Sequence, residues 1–194
     1  VKTSMGSFTV QLDAAKAPAT VANFLRYAAS GHYDGTVFHR VVGGYMVQGG
    51  GFEKKGDQLV EKPTTAPIKN EAGNGLKNVE GAIAMARTDA PDTATAQFFI
   101  NCKDNEMLDQ SPAAAGYAVF GRVTKGMEVV TQINAVPAVV RESKGRLGNG
   151  QLRPMPLKSV PLSDVVIESV KVLGTEGDEA AAPEPEEAEA KAPK

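Results

Sequence analysis

Short strand-like runs separated by turn residues make up most of this sequence, and only two segments show helical periodicity. Over residues 7–12, polar and apolar side chains alternate, which is typical of a strand with one buried face. Further strand-like runs cover residues 36–42, 45–48, 81–87, 96–101, 117–123 and 165–172. Because strands and helices do not alternate, a parallel α/β sheet is disfavoured. We expect a mainly β barrel or sandwich with helices packed outside it or over its ends.

The two helical segments each have an apolar face. The first begins at Pro18, places apolar residues at i, i+3, i+4 and i+7 from Val21, and ends at Gly31. The second covers about residues 127–134, where Met127, Val130 and Ile133 share one side.

Composition divides the chain into one domain and a tail. Residues 174–194 are mainly Ala, Glu and Pro, with seven acidic residues and two lysines, and we expect this acidic tail to be disordered. Residues 1–173 form the globular domain. Within it, residues 138–163 are rich in Gly and Pro and carry five basic residues against one acidic residue, so we interpret them as a long basic loop.

Several classes of function are excluded. No uncharged stretch is long enough to span a membrane. The single Cys and two His exclude a disulfide framework and argue against a metal site. The formal net charge of −2 gives no sign of nucleic-acid binding. The lack of a signal segment and of disulfides favours the cytoplasm, although a periplasmic location fits a chain that has lost a leader.

Read singly, the candidate residues carry little information. The glycine-dense run 43–51 lacks the features of a phosphate-binding loop, so its glycines are interpreted as barrel turns. Cys102 has no recognisable His partner and is interpreted as a structural thiol. His39 and Arg40 lie on opposite faces of a strand, with His39 interpreted as a hydrogen-bonded structural group.

Four segments in the same order resemble the cyclophilin family of peptidyl-prolyl cis–trans isomerases, most closely its bacterial branch. The first reads Phe-His-Arg-Val-Val-Gly-Gly-Tyr-Met-Val-Gln-Gly-Gly-Gly-Phe over residues 38–52. The others cover residues 66–78, 81–101 and 116–127. The resemblance extends over about residues 1–173, apart from the loop near 138–163.

The resemblance implies a closed eight-stranded antiparallel β-barrel capped by two α-helices, with the active site in a shallow groove on the outer face. It implies an isomerase that accelerates rotation about X-Pro bonds in unfolded or flexible chains and so assists protein folding. No metal or cofactor is implied. The expected partners are proline-containing peptides and unfolded chains, and a monomer is the default.

By motif position, the resemblance assigns Arg40 as the catalytic arginine, with Gln48 beside it. The residues assigned to substrate binding are Phe38, Tyr45, Met46, Ala86, Arg87, Thr88, Gln97, Phe99, Met107, Leu108 and Tyr117.

Four positions depart from common family members. Tyr45 stands where many have Phe, Arg87 replaces an Asn, and Tyr117 replaces a His. Met107 occupies the position of a Trp in cyclosporin-sensitive members, so an indole N–H donor is lost and we expect weak cyclosporin binding.

A second function stays open. A proline-peptide binding or chaperone module could use the same apolar groove, with isomerase activity only incidental. Such a module could lose Arg40, so the presence of this residue favours the enzyme.

Overall fold

The computed structural model describes residues 1–174, and the chain is mainly β with two α-helices. The helices are α1 (Pro18–Ala29) and α2 (Met127–Asn134). The strands are β1 (Lys2–Thr3), β2 (Gly6–Ser7), β3 (Thr9–Leu12), β4 (Thr36–Val37), β5 (Arg40–Val42), β6 (Met46–Gly49), β7 (Phe52–Lys55), β8 (Gln58–Glu61), β9 (Ala82–Met85), β10 (Phe98–Asn101), β11 (Val119–Lys125), β12 (Ala138–Arg146), β13 (Leu152–Pro161) and β14 (Ile167–Ser169). The mainly β prediction is therefore confirmed.

The strands form three sheets within the described residues. Their orders are β14-β1-β2, β3-β11-β9-β10-β6-β5 and β13-β12-β8-β7-β4. Every strand pair is antiparallel except β12–β8, which is parallel. Residues 1–174 thus show no single closed ring of eight antiparallel strands, and the barrel detail of the prediction is not confirmed.

Helix α1 begins where its sequence predicts. Pro18 occupies the first turn, where its missing N–H removes no helical hydrogen bond. The carboxylate of Glu71, distant in the chain, accepts from the backbone N–H groups of Ala19 at 3.1 Å and Thr20 at 2.8 Å. The helix ends at Ala29, and Ser30 is its C-cap. Gly31 follows with a φ of +68°, a left-handed conformation that favours glycine.

An apolar interior lies between the six-stranded sheet and the two helices. Phe24 of α1 packs against Tyr33, Phe98 and Phe120, with ring centroids 5.0, 5.6 and 5.3 Å away. Val130 and Ile133 of α2 join the same cluster and are fully buried. The interior therefore covers one face of the sheet and leaves the other available.

Residues 138–163 are not a loop, and that prediction is wrong. They form the β12–β13 hairpin, which pairs from Ala138↔Pro161 to Arg146↔Leu152. The prolines mislead because β13 is an edge strand, where a proline without an N–H donor is tolerated. Arg141 also forms an ion pair with Asp164, which secures the hairpin to the segment after it.

A second hairpin, β7–β8, lies outside the strand-like runs that the sequence pattern predicts. Its turn residues, Gly56 and Asp57, are exposed, and Gly56 has a φ of +60°. Phe52 and Leu59 are nevertheless buried, and they pack with Val37 and Val160 in a separate apolar cluster. The strand pair therefore connects β4 with the β12–β13 hairpin.

No helix in the described part of the chain is both long and apolar enough to cross a membrane. The predicted acidic tail lies outside the described residues apart from Gly174.

Candidate active site

The outer face of the six-stranded sheet carries an apolar cluster separate from the interior. Side chains alternate along β10: Phe98 and Ile100 join the interior, whereas Phe99 joins the outer cluster. The same alternation turns Met46 outward and Val47 inward on β6. The outer cluster consists of Met46, Ala82, Ala84, Phe99 and Val119, with the partly buried Val42, Tyr45, Leu76, Ala86, Leu108 and Tyr117 packed against it.

An aromatic corner forms one wall of this outer cluster. The rings of Phe99 and Tyr117 meet edge to face, with centroids 5.6 Å apart. The Arg87 guanidinium lies over the Tyr117 ring, 4.5 Å from its centroid. Arg87 Nε also donates to the carbonyl of Gly116 at 3.0 Å, and Arg87 Nη1 donates to that of Thr88 at 2.8 Å. The arginine therefore holds the tyrosine ring against Phe99.

Arg40 lies at the opposite side of the cluster, on edge strand β5. Its backbone pairs with Gln48 in the sheet register, and its side chain is exposed. Arg40 Nη1 donates to Gln48 Oε1 at 3.3 Å, and Gln48 Nε2 donates to Gln97 Oε1 at 2.9 Å. Within residues 1–174, no carboxylate forms an ion pair with Arg40. Its guanidinium therefore has donors left for a ligand.

Tyr45 and Leu108 are both partly buried and pack against the outer cluster. Burial raises the pKa of the Tyr45 hydroxyl, and Lys103 Nζ lies 5.7 Å from its ring centroid. Leu108 belongs to a short 3-10 turn, and its carbonyl accepts from Tyr117 N at 2.9 Å and Asn78 Nδ2 at 3.1 Å. Backbone hydrogen bonds therefore hold Leu108 in place, and Lys103 lies over the Tyr45 ring.

Asp109 secures the turn that carries Leu108. Its Oδ1 accepts from the Asn78 backbone N–H at 2.8 Å, and its Oδ2 forms an ion pair with Lys77 at 3.3 Å. Partial burial acts to raise the pKa of Asp109, but the donors of Asn78 and Lys77 outweigh it and lower that pKa. The carboxylate therefore remains charged and holds the turn at neutral pH.

Buried amides support the groove from below. Asn105 Nδ2 donates to Asn101 Oδ1 at 2.8 Å and to the Tyr45 carbonyl at 3.1 Å. Asn134 of α2 accepts from Gly44 N at 2.7 Å and donates to the Val42 carbonyl at 2.9 Å. Asn134 thereby fixes the tight turn between β5 and β6, which carry Arg40 and Met46.

The other reactive side chains face away from this groove. His39 is 2% exposed and packs on Phe52, with ring centroids 4.6 Å apart, as the predicted alternation with Arg40 requires. Its Nδ1 is buried without a hydrogen-bond partner among the described residues. Burial lowers the pKa of His39 to about 4 and raises the pKa of Cys102 to about 11. Neither group is activated for chemistry at neutral pH.

Two assigned residues stand apart from the groove floor. Phe38 is 1% exposed and packs in the interior against Phe98, with centroids 6.2 Å apart. The expectation that it contacts substrate is therefore corrected, because it supports the sheet from behind. Met107 is 78% exposed and projects from the turn before Leu108.

The segment 86–88 continues from β9 along the edge of the cluster. Ala86 N donates to the Gln97 carbonyl at 2.9 Å, which joins this segment to the strand that leads to Phe99. Thr88 is exposed, and Thr93 Oγ1 accepts from its backbone N–H at 3.1 Å. The structure thus brings together the assigned residues except Phe38, which lies in the interior, and Met107, which projects from the adjacent turn.

A cleft of about 650 Å³ lies farther along the same sheet face. Leu76, Ala82 and Val119 of the outer cluster line it, together with Lys77 and Arg122. None of the residues assigned from the sequence lines this cleft within the described chain.

Sequence reasoning missed Glu61 and Asn134. Glu61 accepts a hydrogen bond from Gln97, and Asn134 accepts one from the backbone N–H of Gly44. Asn134 lies 90 positions from Gly44, and Glu61 lies 36 positions from Gln97. A polar residue in a strand or helix gives no local signal of so distant a partner.

A family model and two relatives that this chain resembles all belong to one family. The family model described as "Cyclophilin type peptidyl-prolyl cis-trans isomerase/CLD" matches residues 1–172. The chain is 49% identical to peptidyl-prolyl cis-trans isomerase cyp18 of Streptomyces antibioticus, over 90% of this chain and 97% of the relative. It is 48% identical to peptidyl-prolyl cis-trans isomerase B of Escherichia coli (strain K12), over 88% and 96% of the two chains.

A solved structure shares the fold. It is a Cryptosporidium parvum cyclophilin type peptidyl-prolyl cis-trans isomerase crystallised in the presence of the dipeptide Ala-Pro. The TM-score is 0.68 at 22% identity, and the match covers 90% of this chain and 98% of the other.

Proposed function

The chain belongs to the cyclophilin-type peptidyl-prolyl cis–trans isomerase family, and from this premise we propose that its catalytic centre is the outer groove between Arg40 and Tyr117. The chain is a peptidyl-prolyl cis–trans isomerase. One observation carries the proposed site: an exposed guanidinium, held by Gln48, stands at the edge of an apolar cluster on the sheet's outer face.

The reaction is a rotation about one bond. Amide resonance sets a barrier of about 18–20 kcal/mol. A barrier of about 20 kcal/mol gives roughly 0.01 events per second, and about 10³ per second requires a barrier lower by roughly 7 kcal/mol. No bond breaks, so the chemistry needs neither a nucleophile nor an acid–base pair. The unreactive states of Cys102 and His39 are consistent with this requirement.

Arg40 supplies the donor in this proposal. When the prolyl amide twists, the nitrogen lone pair becomes localised and accepts a hydrogen bond that the planar amide accepts only weakly. The guanidinium therefore binds the twisted state more tightly than either planar state, which is the condition for catalysis. A positioned donor contributes about 3–4 kcal/mol, so Arg40 accounts for about half of the requirement.

The apolar groove supplies the remainder. Met46 and Phe99 form its floor, with Leu108 at one side, and together they grip the proline ring while the preceding residue rotates. The groove also excludes water, which strengthens the hydrogen bond from Arg40. Segment 86–88 and Gln97 line the edge along which the rest of the peptide lies.

Proline-containing peptides bind in this groove, and the relatives' names support that substrate class. A binding or chaperone module without catalysis would use the same apolar floor. The exposed Arg40, which forms no ion pair within residues 1–174, favours the enzyme, because an apolar floor alone needs no cation beside it. We expect the chain to act as a monomer.

We also propose that the three sheets together form the wall of one barrel. Two backbone hydrogen bonds of 2.9 Å support this, from Gly35 N to the Ile167 carbonyl and from Phe38 N to the Val165 carbonyl. Strand β13 also packs beside β5. Nuclear Overhauser contacts between the backbone protons of β5 and β13 would support closure. Their absence in a fully assigned spectrum would show that the six-stranded and five-stranded sheets are separate.

Titration with a short Ala-Pro peptide tests the location of the site. We expect the largest amide NMR shifts at residues 86–88, Phe99 and Tyr117, because these line the proposed groove. Shifts concentrated instead at Leu76, Val79 and Arg122 would move the peptide site to the neighbouring cleft.

A further inference from the structure

A row of polar side chains connects Arg40 with the β12–β13 hairpin. Arg40 Nη1 donates to Gln48 Oε1 at 3.3 Å, and Gln48 Nε2 donates to Gln97 Oε1 at 2.9 Å. Gln97 Nε2 in turn donates to Glu61 Oε1 at 3.5 Å. The row therefore runs from a guanidinium on β5, through two amides, to a carboxylate at the end of β8.

The two charged ends determine how both amides are oriented. Arginine only donates hydrogen bonds and a carboxylate only accepts them, whereas an amide can present either of its ends. With Arg40 donating, Gln48 presents Oε1 to it and Nε2 to Gln97. With Glu61 accepting, Gln97 presents Nε2 to it and Oε1 to Gln48. All three bonds pair a donor with an acceptor only when both amides take this orientation.

Glu61 itself is held by the hairpin. Its Oε2 accepts from the backbone N–H of Arg146 at 2.6 Å. The Arg146 side chain donates to the Glu61 carbonyl, from Nε at 3.3 Å and from Nη2 at 3.2 Å. Arg146 ends strand β12, so the main chain of one hairpin residue holds the Glu61 carboxylate, and its side chain holds the Glu61 backbone carbonyl.

Gln97 has little freedom to leave the row. Its side chain lies flat across Gly51, where an added Cβ would be only 2.5 Å from Gln97 Cγ. A side chain at position 51 would therefore displace Gln97. The contact at Gly51 fixes the carbon stem of Gln97, and its hydrogen bonds with Gln48 and Glu61 orient its amide group.

We propose that Glu61 is a positioning residue for catalysis, acting through Gln97 and Gln48 on the direction of the Arg40 guanidinium. This inference rests on the proposed function of Arg40. It makes the β12–β13 hairpin part of the catalytic apparatus, although no hairpin residue belongs to the groove. Glu61 acts on a donor used in the twisted state, so its loss changes kcat more than peptide affinity.

The variant Glu61→Gln tests the inference, because it keeps the size of the side chain and removes the obligate acceptor. We expect kcat for an Ala-Pro peptide to fall about 3- to 10-fold, the effect of weakening one hydrogen bond in the row. KM is expected to stay within about twofold. The side-chain amide NMR signals of Gln48 and Gln97 should also shift. The matched control is Glu53→Gln, which removes an ion pair with Lys55 on β7 and does not touch the row.

Equal kcat values for the Glu61→Gln and Glu53→Gln variants, with unchanged glutamine side-chain signals, would overturn the inference while leaving the proposed function intact. Failure of the wild-type chain to accelerate isomerisation would instead overturn the proposed function. Should Glu61→Gln not fold, Glu61→Asp keeps the charge beside Arg146 and draws the carboxylate back from Gln97. The same loss of kcat at unchanged KM is expected there, and full wild-type kcat in that variant would contradict the inference.

Discussion

The side chains of the adjacent residues His39 and Arg40 point to opposite faces of the sheet. Arg40 is exposed beside the outer cluster, whereas His39 is buried against Phe52, and its Nδ1 has no hydrogen-bond partner within residues 1–174. The alternation of strand side chains explains both positions. The two residues therefore have separate expected roles: catalysis for Arg40, as proposed above, and stability for His39.

Acid should destabilise the fold through His39. Its pKa is lowered to about 4 by burial, below the ordinary value of 6.5, so between these values the unfolded chain binds more protons than the folded one. This contribution to stability is complete above pH 6.5 and is lost as the pH falls towards 4. Its full size is up to about 3 kcal/mol. We expect urea unfolding to show this decline in unfolding free energy as the pH falls from 6.5 to about 4.5, within the same window.

The variant His39→Gln isolates this contribution. It should show a shallower dependence of unfolding free energy on pH over the same range, whatever its absolute stability. A smaller slope should persist, because burial also lowers the pKa of His32. Asp109 and Asp164, whose pKa values are lowered, act only at more acidic pH. An unchanged slope in the variant would refute the assignment to His39.

Met107 should limit cyclosporin binding. The side chain is 78% exposed at the rim of the groove and offers no N–H donor. We expect Met107→Trp to bind cyclosporin at least about tenfold more tightly than wild type, since one indole hydrogen bond and a larger apolar contact are gained. Leu162→Trp, at another exposed apolar position, is the control. Nanomolar binding by the wild-type chain in calorimetry would contradict the prediction.

At the scale of elements, sequence patterns predict local structure better than pairing. The predicted limits of α2, residues 127–134, match the observed helix, because its apolar spacing is a local property. The β12–β13 hairpin was missed because its prolines suggest a loop until the edge position of β13 is known. The parallel pairing of β12 with β8 joins residues more than 80 positions apart, such as Ser143 and Leu59, and no local pattern reports it.

The start of α1 depends on Glu71, and its removal should destabilise the fold. The carboxylate accepts from two backbone N–H groups of the first turn and from Thr20 Oγ1 at 2.7 Å. We expect Glu71→Ala to lower the free energy of unfolding by about 1–2 kcal/mol, the usual cost of a lost helix cap. Glu128→Ala, in the first turn of α2 and exposed, is the matched control. Equal losses in the two variants would show that the Glu71 contacts add nothing.

At the scale of the whole molecule, residues 1–174 contain every element of the described core. The interior cluster extends from Val1 to Val170 along the chain. We therefore expect a chain ending at Gly174 to unfold within about 0.5 kcal/mol of the full-length protein in urea, as for changes outside the packed core. A larger loss would show that residues 175–194 contribute to the folded state.

The outer groove could be predicted only because several motifs occur together in one order. The resemblance placed Arg40, Phe99 and Tyr117 in one site, and the structure brings them around one apolar cluster. The supporting contacts could not be predicted in the same way. Glu61 and Asn134 reach the groove by hydrogen bonds across the fold, and such contacts depend on strand register, which the sequence alone does not specify.

The proposed catalytic role of Arg40 is tested most directly by measuring cis–trans exchange of a short Ala-Pro peptide by NMR. Exchange needs no coupled protease and reports the rotation itself. The proteins compared are the wild-type chain, Arg40→Ala and the control Arg122→Ala, an exposed arginine on β11. We predict strong acceleration by wild type and control, and a loss of about 10²–10³ in kcat/KM for Arg40→Ala with its fold intact. Equal acceleration by Arg40→Ala and wild type would contradict the account.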